Sequence, residues 1–192
     1  MRVEEAAMTG WIILGVFVLL FLWVTVVYNK LVRLGVRAEE AWRGIDTLLR
    51  KRFDLIPNLV ETVKGYATHE REVFERVTEA RSASMKAQTP KEQAEADNVL
   101  AGTLKSLFAV AENYPELKAN ANFTALQKSL EELEEEIARS RRYYNAVVRD
   151  LNTAIKVFPQ NLIANLFRIK EREFYMLPSE TMAEPPKVDF SR

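Results

Sequence analysis

Cysteine is absent from the 192 residues, and histidine occurs once, at His69. Without cysteine there is no disulfide framework and no thiolate ligand for a metal, and a reducing compartment fits. With one imidazole, zinc sites built from histidine and cysteine are excluded. The paired Glu-x-x-His signature of a di-iron carboxylate bundle fails as well, because Tyr66 stands three residues before His69. A nucleophile, base and orienter could recruit only His69, which is expected on an exposed helix turn beside Glu70, Arg71 and Glu72. No glycine-rich phosphate loop is present. The 27 basic and 27 acidic residues cancel, so the basic excess that nucleic acid selects is missing. The expectation is a non-enzymatic protein with no catalytic residue, cofactor or metal, no nucleic-acid partner and no small-molecule substrate.

Glycine and proline are sparse, at six and seven residues, while Ala, Leu, Glu, Lys and Arg dominate. That is the composition of long helices. What stands out is Trp11 to Tyr28, WIILGVFVLLFLWVTVVY, which carries no charge. At the helical rise it extends about 27 Å, near the hydrocarbon thickness of a bilayer. A core helix would show one polar side, yet Thr25 is the only clearly polar residue between Trp11 and Val27. A cleaved signal peptide would need a basic start and a small-x-small site, whereas this chain starts Met-Arg-Val-Glu-Glu and has no such site at Tyr28. An uncleaved single span is expected, with Trp11 at one interface and Trp23 and Tyr28 near the other. Arg2 precedes the span and Lys30, Arg33, Arg37 and Arg43 follow it. That asymmetry puts the N-terminus outside and the bulk of the chain in the cytoplasm.

The rest, about 160 residues, suits one soluble domain. Leu31, Leu34, Ala38, Ala41, Ile45 and Leu48 form a heptad seam that fails at Arg52. Pro57 lacks a backbone donor and restricts Ile56, so a break or sharp kink is expected there, with Asp54 as a cap for a new helix. That helix carries Val60, Val63, Ala67, Phe74, Val77 and Ala80. Thr89-Pro90-Lys91-Glu92 reads as a capping box opening a third helix, with Ala94, Ala101, Leu104, Phe108 and Ala111 on one side. One last helix is expected from Pro115 to Phe158, on the seam Phe123, Leu126, Leu130, Leu133, Ile137, Ser140, Tyr144, Val147, Leu151, Ala154 and Phe158. The charge run from Glu131 to Arg142 on its outer face reads as a solvated surface.

The expected fold is all-α: an N-terminal transmembrane helix and an antiparallel up-and-down four-helix bundle with long helices. If Pro57 reverses the chain, four helices result and the chain returns towards the bilayer; if it only kinks, three helices make a rod. The four-helix form is preferred. The expected segments are a short extracytoplasmic tail (1–10), the span (11–28), the bundle (29–159), an amphipathic helix (160–176) and a flexible tail (177–192). In 160–176, Leu162, Ile163, Leu166 and Phe167 gather on one side and Arg168, Lys170 and Arg172 are basic, which suits either a bundle cover or a helix lying on lipid. Asp54, Pro57, Asn58, Tyr143 and Tyr144 are candidates for a structural lock or a partner-binding kink. Expected partners are membrane lipid and other membrane proteins or a second copy, since Gly35, Ala38 and Ala41 form a small-residue stripe.

Four blocks then carry a family resemblance. Phe53-Asp54-Leu55-Ile56-Pro57-Asn58-Leu59-Val60 with Thr62 to Tyr66, Glu112 to Asn120, Arg141 to Asn145 on to Phe158-Pro159, and Pro186 to Phe190 resemble LemA family proteins in the same order. The resemblance implies a prokaryotic single-span membrane protein with a cytoplasmic helical domain and no assigned reaction. It also implies a neighbourhood with membrane-bound quality-control metalloproteases, near which some members are encoded.

Overall fold

A computed structural model of the chain describes residues 2–176, with side chains from Gly10 onward. The expected flexible tail, 177–192, and its Pro186–Phe190 block lie outside the described residues. Six helices and no strand occur among those described: α1 (Arg2–Lys64), α2 (Arg71–Lys86), α3 (Pro90–Glu112), α4 (Pro115–Lys118), α5 (Ala121–Lys156) and α6 (Gln160–Leu166). The expected tail over 1–10 is thus helical from Arg2. Contacts divide the chain into two units, one joining the residues up to Glu40 with Ala146–Arg172, the other joining Ala41–Asn145 with the chain from Glu173.

The second unit is an up-and-down four-helix bundle of α1, α2, α3 and α5. Proline does not end the first of these, because α1 continues through Pro57 to Lys64. The missing N–H at Pro57 frees the carbonyl of Phe53, four residues earlier, and such an orphan is costly when shielded from water. The Arg81 Nε of α2 donates to that carbonyl at 2.7 Å. A helix break at Pro57, and with it a cap at Asp54, is therefore corrected: the chain reverses eight residues later, over Gly65 to Glu70.

The capping box is present, with the Thr89 Oγ1 accepting from the Glu92 N–H at 3.2 Å and the Glu92 Oε2 accepting from the Thr89 N–H at 3.3 Å. The buried side of α3 differs from expectation: Ala94, Asp97, Leu100, Leu104, Leu107 and Ala111 face inward, while Ala101 is exposed. The expected single helix from Pro115 is split, because the Asn120 Oδ1 accepts from the N–H groups of Asn122 and Phe123 at 2.9 and 3.1 Å and starts α5 anew. Along α5 the seam is correct from Phe123 to Ala154, but Phe158 lies beyond the helix end and is exposed.

In the first unit, Val27 and Leu31 of α1 pack on Ala154 of α5 and on Ile163 and Ala164 of α6, with Trp23, Val24 and Leu34 at the edge. N-terminal to this cluster, the apolar residues Trp11 to Leu22 are exposed on every side of α1. The helix from Gly10 contains an 18-residue window apolar enough to cross a membrane, at a mean hydropathy of 2.6. The expected amphipathic helix 160–176 is shorter: α6 ends at Leu166, and Ile163 turns inward while Leu162 and Leu166 stay exposed.

Candidate functional site

The seam of α1 does not stop at Arg52, which is only 2% exposed. Ile45, Leu49, Arg52, Ile56 and Leu59 are buried at helical spacing, so the charge enters the core. Each helix of the bundle contributes to what surrounds it. The Arg52 Nη1 donates to Glu134 Oε1 of α5 at 3.0 Å, and the Nη2 donates to Asp97 Oδ1 of α3. Ser84 of α2 donates to the same Asp97 oxygen at 2.9 Å, as does the Gln93 Nε2. The second Asp97 oxygen accepts from the phenol of Tyr175. Of the acidic run on α5, Glu134 reaches Arg52 from the surface, its side chain 45% exposed, whereas Glu135 pairs with Arg139 at 3.4 Å.

Burial opposes the Arg52 charge, but the Asp97 and Glu134 carboxylates and their hydrogen bonds outweigh it and hold the guanidinium above its ordinary pKa. Burial, the Asp97 charge and its hydrogen bond push the Tyr175 phenol far above its usual value, so it stays protonated and donates. One partner removed from such a node strands a charge in a dry core.

Tyr175 arrives on an extended segment, and α5 carries the groups that seat it. The Asn145 Oδ1 accepts from the Tyr175 N–H at 2.9 Å and its Nδ2 donates to the Tyr175 carbonyl at 2.8 Å. The Tyr144 hydroxyl donates to the Glu173 carbonyl at 2.8 Å. The Arg141 guanidinium lies 5.0 Å from the Tyr175 ring centre, and Trp42 stacks at a tilt with both Tyr144 and Tyr175. In the first unit Asn152 repeats the clamp, accepting from the Arg172 N–H and donating to its carbonyl, both at 2.9 Å. Three of the residues in the Arg141–Asn145 block thus bind the chain's own later segment.

Two other blocks meet at the reversal end of the bundle. The Asn120 Nδ2 donates to the Tyr66 hydroxyl at 2.9 Å. Tyr66, Asn113, Tyr114, Pro115 and Glu116 line an open cleft of about 320 Å³ there. An open groove of about 600 Å³ runs between α1 and α2, but its cations Lys64 and Arg71 are paired to Glu61 and Glu75 at 2.9 and 2.7 Å.

The sequence-based candidates are dispersed. Pro57 is exposed within α1, as are Asp54 and the side chain of Asn58, whose carbonyl accepts from Thr62 at 2.7 Å. Tyr143 is exposed, and Tyr144 packs on Trp42, fifteen residues before Pro57 and so about 22 Å along the helix. The structure does not bring these five residues together: Arg81 bonds the carbonyl that Pro57 leaves free, and Tyr144 belongs to the seat of the Tyr175 segment. Trp11 is exposed at the start of the apolar stretch, Trp23 is half-buried, and Tyr28 stacks on Phe167 with ring centres 4.5 Å apart. Sequence reasoning missed Arg52, Asp97, Arg81 and Tyr175. The available signal was a charge in phase with an apolar seam at Arg52 and again at Asp97.

A four-helix bundle with one exposed apolar helical stretch defines a helical-bundle class, and among the described residues no group of three or more His, Asp or Glu is positioned for a metal. The chain belongs to the LemA family, whose model matches residues 41–190 and so begins beyond the apolar stretch. Magnetosome protein MamQ 2 of Paramagnetospirillum magneticum is 24% identical over 174 residues, covering 77% of this chain and 64% of that protein. Magnetosome protein MamQ of Magnetospirillum gryphiswaldense is 23% identical over the same coverage. Protein LemA of Metamycoplasma hominis is 25% identical over 140 residues, 71% of this chain and 63% of its own length. The chain spans slightly under two thirds of these relatives' length.

Proposed function

We propose that the protein is a single-pass membrane protein whose bundle is a non-enzymatic interaction or scaffold module of the cell envelope, N-terminus outside and bundle in the cytoplasm. The observation that carries the reading is the stretch from Trp11 to Leu22, whose large apolar side chains point outward all round α1 and are covered by none of the described residues. Such a surface is stable in hydrocarbon and adhesive in water. The bundle's buried ionisable groups are spent on each other and on the Tyr175 segment, which supports contact over chemistry. The cleft of Tyr66 and Asn113 to Glu116, where two family-like blocks meet, is a suitable contact surface. The relatives' names refer to a magnetosome or to the family, and neither names a reaction.

The partner is another membrane protein or a second copy. Ala38 and Ala41 are buried within the chain itself, so a self-assembly uses other faces. A second reading, which rests only on what the family resemblance implies, is an adaptor or regulator of a membrane-bound enzyme such as a quality-control metalloprotease. Crosslinking in native membranes followed by mild-detergent purification separates the two. A self-assembly of fixed size supports the scaffold, and a second protein in stoichiometric amount supports the adaptor. Recovery of the whole chain in the aqueous fraction rejects both.

A further inference from the structure

Resting on the single-span reading, we propose that the corner between α5 and α6 is a second membrane contact, a wedge whose apolar tip enters the interface of an anionic bilayer beside the end of the span. Phe158, Leu162 and Leu166 follow one another at four-residue intervals and are 78%, 56% and 70% exposed. Single exposed leucines are ordinary, but three large apolar residues in succession on one short corner form a patch. The other side of α6 fixes its height. Ile163 and Ala164 pack on Val27 and Leu31, and Phe167 stacks on Tyr28. Tyr28 closes the apolar run, and Leu31 lies one turn beyond it, so α6 is held within about 5 Å of the level where the span leaves hydrocarbon. An amphipathic element at that level buries its apolar side about 5–10 Å into the boundary of headgroups and acyl chains.

Charge identifies the lipid. Although the whole chain is neutral, residues 29–40 and 146–172 carry eight basic against four acidic residues. Arg168 and Lys170 directly follow the wedge and are exposed, as are Lys30, Arg33 and Arg37 along α1. Basic residues next to an inserted apolar group gain from the negative surface potential of anionic lipid. A protein groove would serve the apolar tip equally well, but it would have no reason to sit level with the end of a span and amid that charge.

The absence of native cysteine lets single cysteines report position. The full chain carrying Leu162→Cys, Leu166→Cys, Leu19→Cys or Val99→Cys is labelled with an environment-sensitive fluorophore and reconstituted in vesicles of phosphatidylcholine, with and without phosphatidylglycerol. At Leu162 and Leu166, acyl-chain quenchers are expected to act and an aqueous quencher to lose most of its effect relative to the exposed Val99, more so with phosphatidylglycerol. Aqueous quenching equal to that at Val99 overturns the wedge. Shielding from both quenchers overturns it too, because a second copy then covers the corner. Leu19 tells the failures apart: quenched from the acyl chains there, the span survives the loss of the wedge; open to water there, the spanning reading falls with it.

Discussion

Two regions of α1 solve opposite problems. From Trp11 to Leu22 its apolar side chains are outside, exposed around the full turn. Around Arg52 its charge is inside, enclosed by α2, α3, α5 and the Tyr175 segment. The first arrangement needs a surrounding of hydrocarbon, since water penalises it by roughly 25 cal/mol for each Å² of apolar surface left exposed. The second needs partners of opposite charge within hydrogen-bond reach, since a lone charge in a dry core costs several kcal/mol. Helix periodicity alone does not say where a residue goes. A uniform apolar stretch can face outward and a charge in phase with a seam can face inward, and the partners decide.

The largest effect is expected at the buried node around Arg52. Asp97→Ala, which leaves Arg52 with Glu134 alone, is expected to cost about 3–5 kcal/mol in denaturant unfolding of the detergent-solubilised chain. Adding Arg52→Met should recover most of that loss, and a double variant no better than the single would contradict the pairing. The proline repair gives a smaller test. Arg81→Ala strands the Phe53 carbonyl and is expected to cost about 1–3 kcal/mol. In a Pro57→Ala background, where a backbone N–H returns to that carbonyl, the same change should cost clearly less.

Alkaline pH probes Tyr175. The folded state keeps its phenol protonated above the ordinary value of 10.0, where the unfolded chain releases the proton. The native state then binds more protons than the unfolded one, so stability falls as pH rises above 10, by up to about 1.4 kcal/mol per pH unit. Tyr175→Phe should lose some stability at neutral pH and show a shallower alkaline decline; parallel declines would remove Tyr175 from the node. The smallest effect belongs to the cap, where Thr89→Ala should cost about 1 kcal/mol, read as a lower melting temperature.

Much of this was legible in the residues. The seam from Phe123 to Ala154 on α5 and the box at Thr89 and Glu92 are local patterns, and local geometry decides them. The break expected at Pro57 was not, because the group that repairs it, Arg81, is 28 positions away on another helix. In the sequence Arg52 looks like the end of a seam for the same reason, its carboxylates being 45 and 82 positions distant. Tyr175 sits in a segment without periodicity, and its role depends on the asparagine and tyrosine that seat it. In α6, Leu162 and Ile163 are neighbours with opposite fates, which a count of apolar residues on one side cannot separate.

The contrast between an apolar outside and a charged inside is tested most directly by water accessibility along α1. Single cysteines at each position from Ile12 to Leu34 are treated with a membrane-impermeant maleimide in intact vesicles containing the full chain. Uniform silence from Ile12 to Leu22 is expected, on every side of the helix, followed beyond Tyr28 by alternation in which Val32 and Arg33 react and Leu31 does not. A helical alternation already present between Ile12 and Leu22 would mean that one side of that stretch faces water, and the account would be contradicted.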